Sequence, residues 1–266
     1  MSLVTPTQSG FFDHLALMCR VIIGLILREM STRFGRQRLG YGWALIEPSV
    51  YILFFVLIRS AIVGRVPFGE SILLFFIPGL LVVRVFVGVC GKMLFAISAN
   101  RALLTYPPVK PVDVMIARFL LESLTMYVIL TSFFVLMHWI AGTKVILDYG
   151  EFAGSVAALS ILCAGFGAFN AVFSILWPTW ERIWSFVPMP VMILSGTFFV
   201  PKALPSGIQD LLAYNPVLHC VEWLRTSTYL TYDPLLDRSY PILFGYVLLI
   251  LALSLERLYR PKLLNA

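Results

Sequence analysis

The sequence predicts an all-α integral membrane protein of six transmembrane helices, led by an amphipathic interfacial helix. Three observations carry that expectation. The chain of 266 residues is 59% hydrophobic and only 13% charged, with a mean hydropathy of +0.89, outside the range of an ordinary soluble domain. Its apolar residues fall in segments of bilayer-crossing length, about 20 residues each. Its basic residues gather at alternate segment ends, as the positive-inside rule requires. The net charge of +6 therefore reads as membrane topology rather than as a nucleic-acid surface. Cys19, Cys90, Cys163 and Cys220 are scattered singly and read as small core residues, not as a disulfide framework. No secretory signal is convincing, because Asp13, His14 and Arg20 interrupt the first apolar run.

A single membrane domain, 1–266, accommodates these segments. Residues 11–34 alternate with helical period, Asp13, Arg20, Gly24, Arg28 and Ser31 on one stripe and Phe12, Leu15, Ile22, Ile26 and Met30 mainly opposite. They form an interfacial helix on the cytoplasmic face; the alternative, a seventh span, rests on the apolar run 21–27, too short to cross alone. Arg33, Arg36 and Arg38 then precede a long hydrophobic run. Gly40 and Gly42 permit a bend and Trp43 suits the headgroup level, so this is a cytoplasmic elbow into the first span.

Spans are expected at 43–63, 71–91, 114–140, 152–177, 183–200 and 241–255. The second contains Pro78-Gly79 and an intramembrane charge, Arg84. Arg84 is either a functional residue or a structural one that snorkels or pairs with a carboxylate such as Glu122. Between the second and third spans, 98–111 is an inner loop whose prolines break any long helix, with a short surface helix at 100–106. His138-Trp139 reads as an interfacial pair rather than a ligand site. Ala164-Gly165 and Gly167-Ala168 in the fourth span suit close helix packing. Pro188 and Pro190 kink the fifth.

The segment 201–240 is semi-polar and aromatic and falls outside, with short helices that re-enter the outer leaflet against protein. There Glu222 and Arg225 are spaced for an i,i+3 pair. Inner edges hold Arg20, Arg28, Arg33, Arg36, Arg38, Lys92, Arg101, Lys110, Arg118, Arg182, Arg257, Arg260 and Lys262, against Arg59, Arg65, Lys144, Lys202, Arg225 and Arg238 outside. Both termini are therefore expected in the cytoplasm.

The chain has no P-loop, no H-E-x-x-H and no G-x-S-x-G. Its histidines, His14, His138 and His219, are far apart, so no metal site is expected. Too few ionisable groups are buried at mid-membrane for an ion-coupled carrier. If the protein transports, its energy source sits on another chain. The competing class is a membrane-embedded enzyme of lipid or glycan assembly. Its only polar cluster would be His219, Glu222 and Arg225, three apart on one helical face. A purely structural scaffold is disfavoured by Arg84.

Several stretches, in order, resemble the ABC-2 type permeases. They are Leu39-Gly40-Tyr41-Gly42-Trp43-Ala44-Leu45-Ile46-Glu47-Pro48, Phe75-Phe76-Ile77-Pro78-Gly79-Leu80, and Asn100-Arg101-Ala102-Leu103-Leu104 with Pro107-Pro108-Val109-Lys110. Ile193-Leu194-Ser195-Gly196-Thr197-Phe198-Phe199 and Asn215-Pro216-x-x-His219-x-x-Glu222-x-x-Arg225 complete the set. The set is closest to the branch that exports capsular polysaccharide from Gram-negative bacteria; O-antigen or teichoic-acid export, or a hydrophobic small molecule, is the alternative within the family.

The resemblance implies a multi-pass inner-membrane subunit, a homodimer with two P-loop ATPase subunits docked beneath, and export of a lipid-linked polysaccharide. It implies hand-over to a periplasmic co-polymerase or adaptor and an outer-membrane export protein. No cofactor is expected in this chain, since ATP and Mg would lie on the partner ATPase, and no catalytic residue is expected here. Asn100, Arg101, Leu103, Leu104, Tyr106, Val109 and Lys110 would form the ATPase-coupling surface, with Arg33, Arg36 and Arg38 completing its cleft. Because aromatic faces stack on sugars without holding them, Trp43, Tyr51, Phe54, Phe55 and Phe86 are candidates to line the path, as ordinary packing is the other reading. Arg59, Arg84 and Lys92 would attract an acidic glycan or lipid phosphate, and His219, Glu222, Trp223 and Arg225 mark the external linker.

Overall fold

The computed structural model describes residues 11–34, 46, 49–55, 57–58, 67–69, 71–106, 109–142 and 144–265. Among these the chain is helical, without a strand. α1 (Phe11–Phe34) is followed by a helical stretch at 49–55 and by α2 (Ile72–Met93). A 3-10 turn and α3 (Arg101–Leu104) lead to the hairpin of α4 (Pro111–Ala141) and α5 (Tyr149–Leu176). Then come α6 (Trp180–Phe186), α7 (Pro188–Leu194), α8 (Ser206–Leu212), α9 (Pro216–Thr226), α10 (Ser239–Leu258) and α11 (Arg260–Asn265).

Among the described residues four helices, α2, α4, α5 and α10, are long and apolar enough to cross a membrane. They stand where the second, third, fourth and sixth spans were expected, with ends shifted by less than a turn. The expected first span, 43–63, falls largely outside the described residues. The fifth span, 183–200, is expected to kink at Pro188 and Pro190, and the chain there is interrupted just before them. It is two short helices, α6 and α7, and the second stops at Leu194. Pro188 and Pro190 carry no N–H, so the helical ladder is interrupted at Val187, between α6 and α7, although Val187 keeps right-handed helical angles (φ −61°, ψ −38°). Beyond Leu194, Gly196 takes φ +69° and turns the chain away, a conformation that favours glycine.

Local chemistry sets the helix ends. Ser71 caps α2 by accepting from the Leu74 N–H at 3.5 Å. Pro111 opens α4, and Asp113 reaches back to the Lys110 N–H at 3.0 Å. Gly142, at φ +64°, closes α4. Asp148 caps α5 through the Gly150 and Glu151 N–H groups at 2.8 and 3.1 Å. Trp177, extended before Pro178, ends α5.

The helices assemble around α5, which packs against α10, α2 and α9. The α5–α10 crossing brings two backbones into direct contact. A Cβ placed on Gly165 would stand 2.0 Å from the Gly245 carbonyl oxygen, and one on Gly245 would stand 2.7 Å from that of Ile161. Small residues here let two backbones touch, as in membrane helix pairs generally. α5 also secures the end of α2. Asn170 donates to the Cys90 carbonyl at 3.2 Å and Ser174 to that of Leu94 at 2.9 Å. α1 packs on α4 with Ile22 and Leu25 buried, while Leu17, Ile23 and Leu27 face outward.

Candidate functional site

Residues 94–106 form a compact knob between α2 and α4. Met93, Ala96, Ile97 and Leu104 are buried and anchor it. Asn100 is also buried. Its amide donates to the Ala96 carbonyl at 2.9 Å, and its carbonyl accepts a bond from the Arg28 guanidinium of α1. Leu103 and Val109 are half-buried, which leaves Arg101, Ala102, Thr105, Tyr106 and Lys110 as the outward face. Of the residues expected to form a coupling surface, Asn100 and Leu104 thus face inward. Arg33 lies in the last turn of α1, and Arg36 and Arg38 lie outside the described residues.

Behind the knob a chain of charges joins three helices. Glu29 of α1 pairs with Arg118 of α4. Arg118 approaches Glu122 one turn on at 3.5 Å, and Glu122, fully buried, pairs with Lys92 at the end of α2 at 3.0 Å. Glu122, a carboxylate expected within reach of Arg84, is engaged by Lys92 and Arg118. The network connects α1, α2, α4 and the knob, and the sequence showed only its separate charges.

At the opposite end of the α4–α5 hairpin, 195–237 folds into a cap. Asn215 caps α9 through the Val217 N–H (3.0 Å) and donates to the Ser195 hydroxyl (3.0 Å). Arg225 is fully buried, its guanidinium 4.0 Å from the Phe75 ring centroid. It donates to Glu222 at 3.0 Å and to the Thr197 carbonyl at 3.1 Å. Glu222 also accepts from the Tyr232 hydroxyl at 2.8 Å and the Leu235 N–H at 3.2 Å. The expected i,i+3 pair is present, and it ties α9 to α2 and to the turn after α7. Trp223 donates to Glu151 at 2.6 Å, and Glu151 in turn pairs with Arg238 at 2.7 Å.

His219 spends both ring nitrogens. Nε2 donates to the Ala213 carbonyl at 2.8 Å, and Nδ1 accepts the Asp237 N–H at 3.0 Å, which requires the neutral ring. With His219 and Glu222 committed in this way, the cluster is a structural knot rather than an acid–base pair. Burial holds the imidazole below the ordinary histidine value of 6.5, against the pull of the Ala213 carbonyl and Asp237. A lowered folded value means the unfolded chain takes the proton more readily. The stabilisation is therefore complete above the unfolded value and lost as the pH falls through the folded one. We expect the melting temperature in detergent to fall between about pH 7 and about pH 5, and to fall less in His219→Gln. Equal slopes for the two proteins would remove His219 from the account.

Of the expected path residues, Tyr51, Phe55 and Arg84 come together. The Arg84 guanidinium lies 5.8 Å from the Tyr51 ring centroid, the Tyr51 hydroxyl bonds the Met192 sulfur at 2.7 Å, and Tyr51 meets Phe55 at 4.8 Å. Phe55 continues into Phe198 and Phe76. Phe54 is exposed. Phe86, by contrast, is buried between Phe166 and Trp184. Lys92 serves the charge network, and Trp43 and Arg59 lie outside the described residues. Met192 and Phe198 were not singled out from sequence, since nothing in the spacing of 183–200 says which face meets residues 49–55.

The membrane helices, the knob between α2 and α4 and the cap before α10 follow one another in the order of the family motifs. A profile described as ABC-2 type transporter matches residues 20–229. The chain belongs to the ABC-2 type transporter family. Among its relatives in that family, the polysialic acid transport protein KpsM of Escherichia coli is 32% identical over 244 residues, covering 91% of this chain and 94% of KpsM. The capsule polysaccharide export inner-membrane protein CtrC of Neisseria meningitidis serogroup A is 26% identical over 254 residues, 93% of this chain and 94% of CtrC. The protein of the same description, BexB, of Haemophilus influenzae is 29% identical over 238 residues, 85% of this chain and 87% of BexB. The names of these relatives are those of a transport protein and of inner-membrane export proteins.

Proposed function

We propose that this chain is the membrane-spanning subunit of an ATP-driven exporter that moves lipid-linked capsular polysaccharide from the cytoplasm to the periplasm. The observation that carries this is the similarity, over nearly the whole chain, to relatives named for capsule polysaccharide export or polysialic acid transport. In this reading the chain crosses the inner membrane six times with both termini inside, the stretch around 49–55 and the α6–α7 pair adding two crossings to the four long helices. The helices α8 and α9 re-enter the outer leaflet. Two copies form the pore, two P-loop ATPase subunits carry ATP and Mg beneath it, and periplasmic and outer-membrane proteins receive the polymer.

The knob is the ATPase contact. Its outward face, Arg101, Tyr106 and Lys110, presents two cations and an aromatic ring, the residue types that anchor protein interfaces. Asn100 and Leu104 hold the knob rigid from within. A push on the knob reaches α1 through Arg28–Asn100, and α4 lies against α1 through Arg118–Glu29, so these elements move as one body. The aromatic run Tyr51, Phe54 and Phe55 with Arg84 is the path candidate, offering stacking faces and one cation to an acidic glycan or its lipid phosphate.

The test is gentle purification from native membranes. The ATPase is expected to copurify with the wild-type chain and to be lost, by about a hundredfold or more, from a variant carrying Tyr106→Asp and Arg101→Glu, as removal of interface anchors predicts. Capsule should disappear from the cell surface in that variant, with polymer retained inside. An intact chain that brings down no ATPase would overturn the reading.

A further inference from the structure

The end of the α4–α5 hairpin opposite the knob contains a cavity of about 340 Å³ that neither the coupling surface nor the path uses. One wall is a single face of α4, where Thr131, Phe134, Val135 and His138 follow at i, i+3, i+4 and i+7 and extend about 10 Å along the axis. The other wall is Val145 and Ile146 of the connecting loop with Tyr149 and Phe152 of α5. Lys144 and His138 lie toward the loop, and the rest of the lining is apolar but for the Thr131 and Tyr149 hydroxyls. The Thr131 hydroxyl is already bonded to the Tyr127 carbonyl at 2.8 Å.

The loop is held in place. The Leu147 and Asp148 N–H groups both donate to the Ser227 carbonyl of the cap, at 2.8 and 3.2 Å. The nearby acids are also committed, Asp148 to the first N–H groups of α5 and Glu151 to Trp223 and Arg238. Lys144 is exposed and has no ion pair among the described residues. A cation beside an apolar slot, at the end of a helix long and apolar enough to cross a membrane, complements one kind of molecule.

We propose that this cavity binds an anionic phospholipid, its phosphodiester against Lys144 and His138 and one acyl chain lying along Val135 and Thr131. The site rests on α4 and α5 crossing the membrane and not on which glycan is carried. A bound lipid would brace the loop that supports the cap, linking leaflet composition to the outer end of the transporter.

The purified full-length protein, titrated with phosphatidylglycerol or phosphatidylcholine and weighed by native mass spectrometry, tests this. The wild type should retain one phosphatidylglycerol per chain, preferred by about tenfold, the contribution of one charge-assisted contact. Lys144→Glu should abolish the preference, Lys144→Arg should keep it, and Val135→Trp should remove retention by filling the slot. Both Lys144 and Val135 are exposed, and an unchanged melting temperature in each variant confirms that the fold survives. Equal retention of the two lipids by the wild type, no retention of either, or retention untouched by Lys144→Glu and Val135→Trp would each overturn the proposal. So would displacement of the lipid by glycerol phosphate, which carries the anion without the chains.

Discussion

Glu222→Gln is expected to destabilise the protein by about 3–5 kcal/mol, because it leaves the buried Arg225 cation with no counter-charge. The guanidinium cannot shed its proton. Its remaining contacts, the Phe75 face and the Phe75 and Thr197 carbonyls, are neutral. Arg225→Met should cost roughly half as much, since the carboxyl left behind can neutralise itself. Burial already pushes that carboxyl above the usual carboxylate range, with Arg225 pulling the other way. Neutral Glu222 would still be held by Tyr232 and the Leu235 N–H. The double variant should recover part of the loss, because neither charge is then buried alone. Thermal unfolding in detergent reads this as a drop of about 10 °C for Glu222→Gln. A larger loss for Arg225→Met, or simple additivity in the double variant, would show that the pair is not the knot described here.

Gly165→Ala should be as damaging with no charge involved. The added methyl would meet the Gly245 carbonyl oxygen at 2.0 Å, and a backbone oxygen on a packed helix cannot move aside as a side chain can. The two helices must separate, which breaks the contact of α5 with α10 along its length. Overpacking costs about 1–3 kcal/mol where side chains can adjust, so a loss at or above the top of that range is expected here, together with loss of export. Gly24→Ala is the control. Nothing lies within 4 Å of a Cβ there, so it should be neutral or stabilise by up to about 1 kcal/mol through helix propensity. If Gly165→Ala behaves like Gly24→Ala, the α5–α10 contact is looser than described.

Several features were legible in the residues themselves. The long apolar segments appear as α2, α4, α5 and α10 because a helix that satisfies its own backbone is the simplest way to cross lipid. The Glu222–Arg225 pair follows from helical spacing, and the small residues of the fourth span indicate a close crossing. The fifth span was read as one kinked helix. Pro188 and Pro190 were visible, but not that the helical ladder would part at Val187, just before them, and that Gly196 would turn the chain so soon.

The sequence by itself therefore determined that this is a helical membrane protein of the ABC-2 type, because hydropathy, charge asymmetry and local motifs are written in short windows. Only the tertiary structure decided which partners those residues meet. Lys92 and Arg118 take Glu122, Phe86 is buried between Phe166 and Trp184, and Arg225 reaches Phe75 across 150 positions of sequence. Such pairings depend on the rotation and depth at which each helix packs. A membrane helix presents much the same apolar composition on all sides, so its sequence carries little record of which face turns inward.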